Sequence, residues 1–153
     1  MSLMTKPLSL LALIGVVALT GCTTSSVKKL QATAEHKEVL EFERNYQAIY
    51  RDLKQGYLNC FTKSLIPALR AETRVDADLY SDLGQGSIAL YVVGLSPIYT
   101  QHIDIKKVDS THTEVVVSVD SHNVDAIPHI QEWATNGFDN CELPSSTDKP
   151  SKS

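Results

Sequence analysis

From Arg74 to Asp120 apolar and polar residues alternate, and this period of two constrains the fold more than any other feature of the chain. Val75, Ala77 and Leu79 alternate with Arg74, Asp76, Asp78 and Tyr80. Ser81 to Gly86 carries two glycines and reads as a turn. A second run, about 87–94, places Ile88, Leu90 and Val92 on one face, and Leu95-Ser96-Pro97-Ile98 turns the chain again. A third run, about 99–108, carries Ile103 and Ile105. After the tight turn Asp109-Ser110-Thr111, a fourth run, about 112–120, carries Val115, Val117 and Val119. Short connections between alternating strands predict an antiparallel meander. Its apolar face is to be covered and its other face is mostly polar.

The flanking segments change period. Between about Glu35 and Phe61, residues Phe42, Tyr46, Ile49, Leu53, Tyr57 and Cys60 recur at spacings of three and four. This predicts one long helix with Glu41, Arg44, Gln47, Arg51 and Lys54 on its wet side. Gly56 interrupts it, either to allow close packing or to end the helix. Ile66-Pro67 stops any helix, and Pro67 can open a short new one through Arg70. A second helix is expected over about Ala126–Asn136, capped by Asp125 and stopped by Gly137, with Ile127, Ile130, Trp133 and Ala134 buried. The predicted fold class is α+β: a two-layer sandwich in the order α-β-β-β-β-α, a four-stranded meander with two helices on one face. Pro144 to Ser153 has no apolar residue and reads as a disordered tail, 144–153.

The N-terminus has one early cation, Lys6, an apolar run from Leu8 to Ala18, and then Leu19-Thr20-Gly21-Cys22. A charged start, an apolar middle and small residues before a cut make a secretory signal. The run is shorter than the roughly 20 residues that a spanning helix needs. Leu-x-Gly-Cys resembles a lipobox, the cleavage and lipidation signal of bacterial lipoproteins. The resemblance implies removal of residues 1–21 and acylation of Cys22, hence membrane lipid as the first partner. Several acyl chains, each methylene contributing about 0.8 kcal/mol, hold a protein stably. Thr23 follows the cysteine. An Asp there would imply inner-membrane retention, so its absence implies the outer membrane, with the domain facing the periplasm. Residues 22–34 are then the lipidated cysteine and a flexible tether, and 35–143 a single domain.

Asn45-Tyr46-Gln47-x-x-Tyr50-Arg51, Asp78-Leu79-Tyr80 and Trp133-x-x-x-Gly137-x-x-x-Cys141 are similar to motifs of small uncharacterised proteobacterial envelope lipoproteins. That family implies fold and location and no activity. With Cys22 acylated in an oxidising compartment, Cys60 and Cys141 remain, and one disulfide is the expected state. Loss of residues 1–21 takes Lys6 from the 14 Lys and Arg and none of the 18 Asp and Glu, moving the net charge from −4 to −5. That balance argues against nucleic acid as a partner, which needs a cationic face.

No catalytic residue is assigned. There is no Gly-x-Ser-x-Gly elbow, no His-Glu-x-x-His and no phosphate loop, so the chain is read as a non-enzyme without cofactor. His102 and Asp104 share a strand face, but the five histidines lack zinc-site spacing and no metal is assigned.

Matching the apolar faces suggests a register: Leu79 with Ile88, Leu90 with Ile103, Ile105 with Val115. On the polar face, one row becomes Asp76, Tyr91, His102 and Ser118, and another places Lys106 opposite Glu114. Tyr91, Val93 and Val116 form a small apolar centre with a charged rim, His102 beside it. This layout suits a contact patch. The expected function is a lipid-anchored interaction or accessory protein of the cell envelope, docking an envelope protein through this face or an edge strand. A small-ligand binder with a cleft lined by Tyr46, Tyr50 and Tyr57 is the second expectation, and an envelope-polymer hydrolase the third.

Overall fold

A computed structural model describes residues 25–62 and 71–142. The signal segment 1–21, Cys22, the Pro67 turn and the tail 144–153 lie outside the described residues. The elements are α1 (Val27–Thr33), β1 (His36–Phe42), α2 (Tyr46–Gly56) with a π-helical turn (Tyr57–Phe61), β2 (Glu72–Tyr80), β3 (Gln85–Val93), β4 (Ile98–Lys107), β5 (Thr113–Val119) and α3 (Ala126–Asn136). The meander and the last helix lie where alternation and helical spacing put them. The first helix is shorter than expected, because His36–Phe42 is a strand. Asn45 makes the break: its Oδ1 accepts from the Gln47 backbone N–H and caps α2.

The sheet therefore has five strands rather than four, in the order β1-β5-β4-β3-β2, all antiparallel. β1 adds outside β5, with Leu40 opposite Val115 and Val39 opposite Val116. Ile105 pairs with Val115 and Lys106 with Glu114, as expected. The other two expected pairs are corrected by two residues: Leu79 faces Gly86, and Ile88 faces Ile103. Between β2 and β3 the cause is a tighter turn. Ser81–Leu83 forms one 3-10 turn, Gly84 closes it at φ 64°, and the chain re-enters the sheet at Gln85. A slip of two preserves the faces but slides the rows.

One face carries the main core. Ile49, Leu53 and Tyr57 from α2 and its π turn, Ile130 and Trp133 from α3, and Ile88, Ile103, Ile105, Val115 and Val117 from the sheet are all essentially inaccessible. Tyr57 donates to Gln101 Oε1 at 2.6 Å, and Gln101 passes a hydrogen bond to Asn123, so this buried chain is paired, whereas Thr73 Oγ1 and His129 Nδ1 on the same side have no hydrogen-bond partner. Burial pushes the Tyr57 hydroxyl far up, which keeps it a donor. Gly56 serves close packing: a Cβ there would fall 2.6 Å from Trp133 Cζ3. The Cys60–Cys141 disulfide is formed and ties the end of the π turn to the chain after α3. Arg44, expected on a wet helix face, instead donates to the Trp133 and Ala134 carbonyls at 3.2 and 2.8 Å and to Asp52 at 2.7 Å. It satisfies the C-terminal carbonyls of α3. Asp125 makes no side-chain cap to α3, contrary to expectation.

The second face is not bare. Ser26 Oγ accepts from the Lys29 N–H and starts α1, which lies across β4 and β5 with Leu30 fully buried. The expected flexible tether of residues 22–34 is thus a docked helix over Val27–Thr33. The fold has a third helix, on the face opposite the other two.

Candidate functional site

Helix α1 reorganises the expected contact patch. The central row of that face is Asp76, Ala89, His102, Ser118 and Lys37, and the next is Asp78, Ser87, Asp104, Val116 and Val39. His102 and Ser118 lie under α1, 4% and 1% exposed. The expectation of an exposed His102 beside Asp76 is therefore corrected. His102 meets Asp104 and Gln31 instead, its Nδ1 lying 3.4 Å from Asp104 Oδ2 and 3.3 Å from Gln31 Nε2. Gln31 Nε2 also donates to Asp104 Oδ2 at 2.8 Å. Burial works to raise the Asp104 carboxyl. Hydrogen bonds and charge from His102, the Gln31 amide and the Lys37 charge outweigh it, and the carboxyl titrates below its usual range. Beside them the Ser118 hydroxyl is buried without a hydrogen-bond partner.

The rest of the patch stays half-exposed and is spread over two places. Tyr91 stacks with Tyr99 at 5.0 Å between ring centres and donates to Asp76 Oδ1 at 3.2 Å. Partial burial, then the Asp76 charge and hydrogen bond, raise the Tyr91 hydroxyl. Val93 pairs with Glu72 further along the same end of the sheet. Val116 is a row removed, between Asp104 and Val39. Tyr91, Val93 and Tyr99 form a ledge at the end of the face, and Val116 belongs to a shallow hollow with Asp104, Lys106 and Glu114. A bulge between Leu90 and Tyr91 brings Tyr99 onto this face.

The expected cleft between helix and sheet is filled, with Tyr46, Tyr50 and Tyr57 all buried. A groove of about 570 Å³ lies on the outer flank of α2 instead. Gln47, Tyr50, Arg51, Lys54, Leu58 and Leu79 line it, the last from β2 at the sheet's edge. Arg51, Lys54 and Gln47 belong to the helix face the sequence reading gave to solvent. Among the described residues, no three His, Cys, Asp or Glu side chains gather as a metal site. Among them also, no helix is long and apolar enough to cross a membrane.

Comparisons with protein-family models, with curated proteins and with solved structures return no match.

Proposed function

We propose that this chain is a lipid-anchored interaction protein of the cell envelope, held by acylated Cys22 in the outer membrane with its domain facing the periplasm. In this reading it docks an envelope protein and performs no catalysis. One observation carries the reading furthest: α1 is docked, so four residues separate Cys22 from Val27. Even fully extended, that connection spans at most about 18 Å. A free tether from Cys22 to His36 would span up to about 50 Å. An acylated chain of this build keeps its sheet at the membrane surface, a geometry suited to a partner that is itself at the membrane. The half-exposed ledge of Tyr91, Val93 and Tyr99 and the outer edge strands are the surfaces it offers.

The test is Cys22→Ala. Processing stops, acylation is lost, and the chain no longer fractionates with outer membranes in a salt-resistant form. Processed protein still bound to membranes at high salt overturns the anchor. Site-specific photo-crosslinking from the ledge in wild-type envelopes is expected to capture a membrane-associated protein.

A further inference from the structure

Among the described residues, strand β2 ends the sheet, and its two faces differ in chemistry. On the α1 side it carries Asp76 and Asp78 in succession, both exposed. On the α2 side it carries Val75, Ala77 and Leu79. Beside Leu79 the outer flank of α2 rises as a wall, and the groove of about 570 Å³ runs in the step between them. The wall presents Arg51, Lys54 and Leu58, recurring at three and four residues along one helix stripe. Among the described residues, no carboxylate lines the groove. Arg51 spends its Nε on Asp52 at 3.3 Å, and among the described residues its terminal nitrogens have no acceptor. Lys54 lies 5.8 Å over the Tyr50 ring. From Gln47 to Leu58 the wall is about 17 Å long, the span of a strand of about five residues.

We propose that the outer edge of β2 and the groove beside α2 together capture an extended segment of a partner protein as an added strand. The proposal rests on the reading of the chain as an interaction domain and names its site and its partner's chemistry. A strand laid along an open sheet edge gains backbone hydrogen bonds, and its alternate side chains fall on opposite faces. On the α1 side the incoming side chains lie beside Asp76 and Asp78, which selects lysine or arginine. On the α2 side they enter the groove. There Leu58 and Leu79 select an apolar residue, and Arg51 and Lys54 select a carboxylate. The segment is thus basic on one face, and apolar with an acid on the other. Area is available for it: Leu58 is 45% exposed and Leu79 37%.

The probe is a fluorescent peptide of about eight residues that alternates lysine with valine and carries glutamate at one central valine position. Binding to the full chain in nonionic detergent is read by anisotropy, and backbone exchange of β2 by mass spectrometry. The peptide is expected to bind and to slow exchange in β2. The same peptide N-methylated at alternate residues is expected to lose binding. Replacing its glutamate by glutamine is expected to weaken binding about three- to tenfold. Lys54→Gln combined with Arg51→Gln, in protein that keeps its disulfide and circular dichroism, is expected to abolish that glutamate preference. The proposal is overturned if the peptide does not bind at millimolar concentration or if N-methylation changes nothing. It is also overturned if a peptide with lysine and glutamate exchanged binds as tightly. Concentration-dependent slowing of β2 exchange without peptide assigns the edge to a second copy of this chain and likewise removes the site. If the peptide fails while crosslinking still captures an envelope partner, the interaction reading survives and only the β2 site falls. If neither reports binding, both fall.

Discussion

The two faces of this sheet are closed by different physics. Helices α2 and α3 close one with a continuous apolar core, a disulfide across their ends and a buried polar chain whose members have partners. The other is closed in part by seven residues of α1, with one fully buried leucine and a polar trio, Gln31, His102 and Asp104. A helix this short does not hold itself in water, so docking alone sustains it. Unpaired buried atoms, at about 1–3 kcal/mol each, do not separate the faces: Ser118 Oγ lies on this one, and Thr73 Oγ1 and His129 Nδ1 on the other. The first face is therefore a scaffold and the second a latch. Equal burial of a residue, Leu30 and Leu53 both at 0%, therefore does not mean equal anchorage. Leu53 is surrounded by a cluster expected to unfold as a unit, whereas α1 is expected to leave alone.

The largest effect that tests this contrast is loss of the bridge. Cys60 and Cys141 are 81 residues apart in sequence, and closing such a loop contributes about 4–5 kcal/mol in the chain-entropy picture. Cys60→Ser should lower the melting temperature markedly and speed exchange throughout α2 and α3. Next comes Leu30→Ala, which removes most of the apolar contribution to α1 docking, about 2 kcal/mol. Here the expected response is local: α1 amides exchange freely and His102 becomes accessible, while the melting temperature moves little. Equal acceleration of exchange in α1 and α3 would show the two faces to be one cooperative unit. Smaller again is Ser118→Ala. Removing a buried hydroxyl that has no partner is expected to stabilise the domain by up to about 1 kcal/mol and to slow α1 exchange. Destabilisation by a comparable amount would show the hydroxyl to be bonded in solution.

The two faces also differed in how far they could be read from sequence. Alternation between Arg74 and Asp120 sets which residues point inward whatever the register, so the core side of β2–β5 was legible except at the bulge, which turns Tyr99 to the other face. The spacing of Ile127, Ile130 and Trp133 made α3 so as well. Register was harder, because apolar parity tolerates a slip of two and the 3-10 turn at Ser81–Leu83 has no distinctive spelling. β1 was lost because Phe42 stands four residues before Tyr46, and a strand end thus continues a helical stripe across the turn. Asn45, a good cap, was the signal that could have separated them. The α1 face was least legible. Val27 and Leu30 are too few to give a periodic signal, and Ser26, which caps the helix, was the one residue that could have marked its start. Gln31 acquires meaning only once the long-range partners His102 and Asp104 lie beneath it. The groove was half-legible: Arg51 and Lys54 share a helix stripe, but Leu79 joins them only through the topology that leaves β2 at the edge.

The smallest expected effect is on pH, and it concerns the latch alone. The folded protein holds the Asp104 carboxyl below its ordinary value. A carboxyl depressed by folding binds its proton more readily in the released state, so acid favours release. The stabilisation is complete above the ordinary carboxylate range near pH 4 and is lost as pH falls through the lower folded value. Because the Asp104 side chain is 46% exposed, solvent screening keeps the contribution small. His102 and Lys37 face the same carboxyl, so they set the depth of the shift without changing its sign. Asp109 also titrates low, at about 2, because the Thr111 and His112 backbone N–H groups hold it. That turn joins β4 to β5, away from α1, and serves as an internal reference. Amide exchange corrected for intrinsic rates should show α1 protection falling with acid below about pH 4. In Asp104→Asn, that acid dependence of α1 should flatten while the Asp109 turn keeps its own. If the acid response of α1 is unchanged in Asp104→Asn, the polar trio is not what holds the latch, and Leu30 alone must carry it.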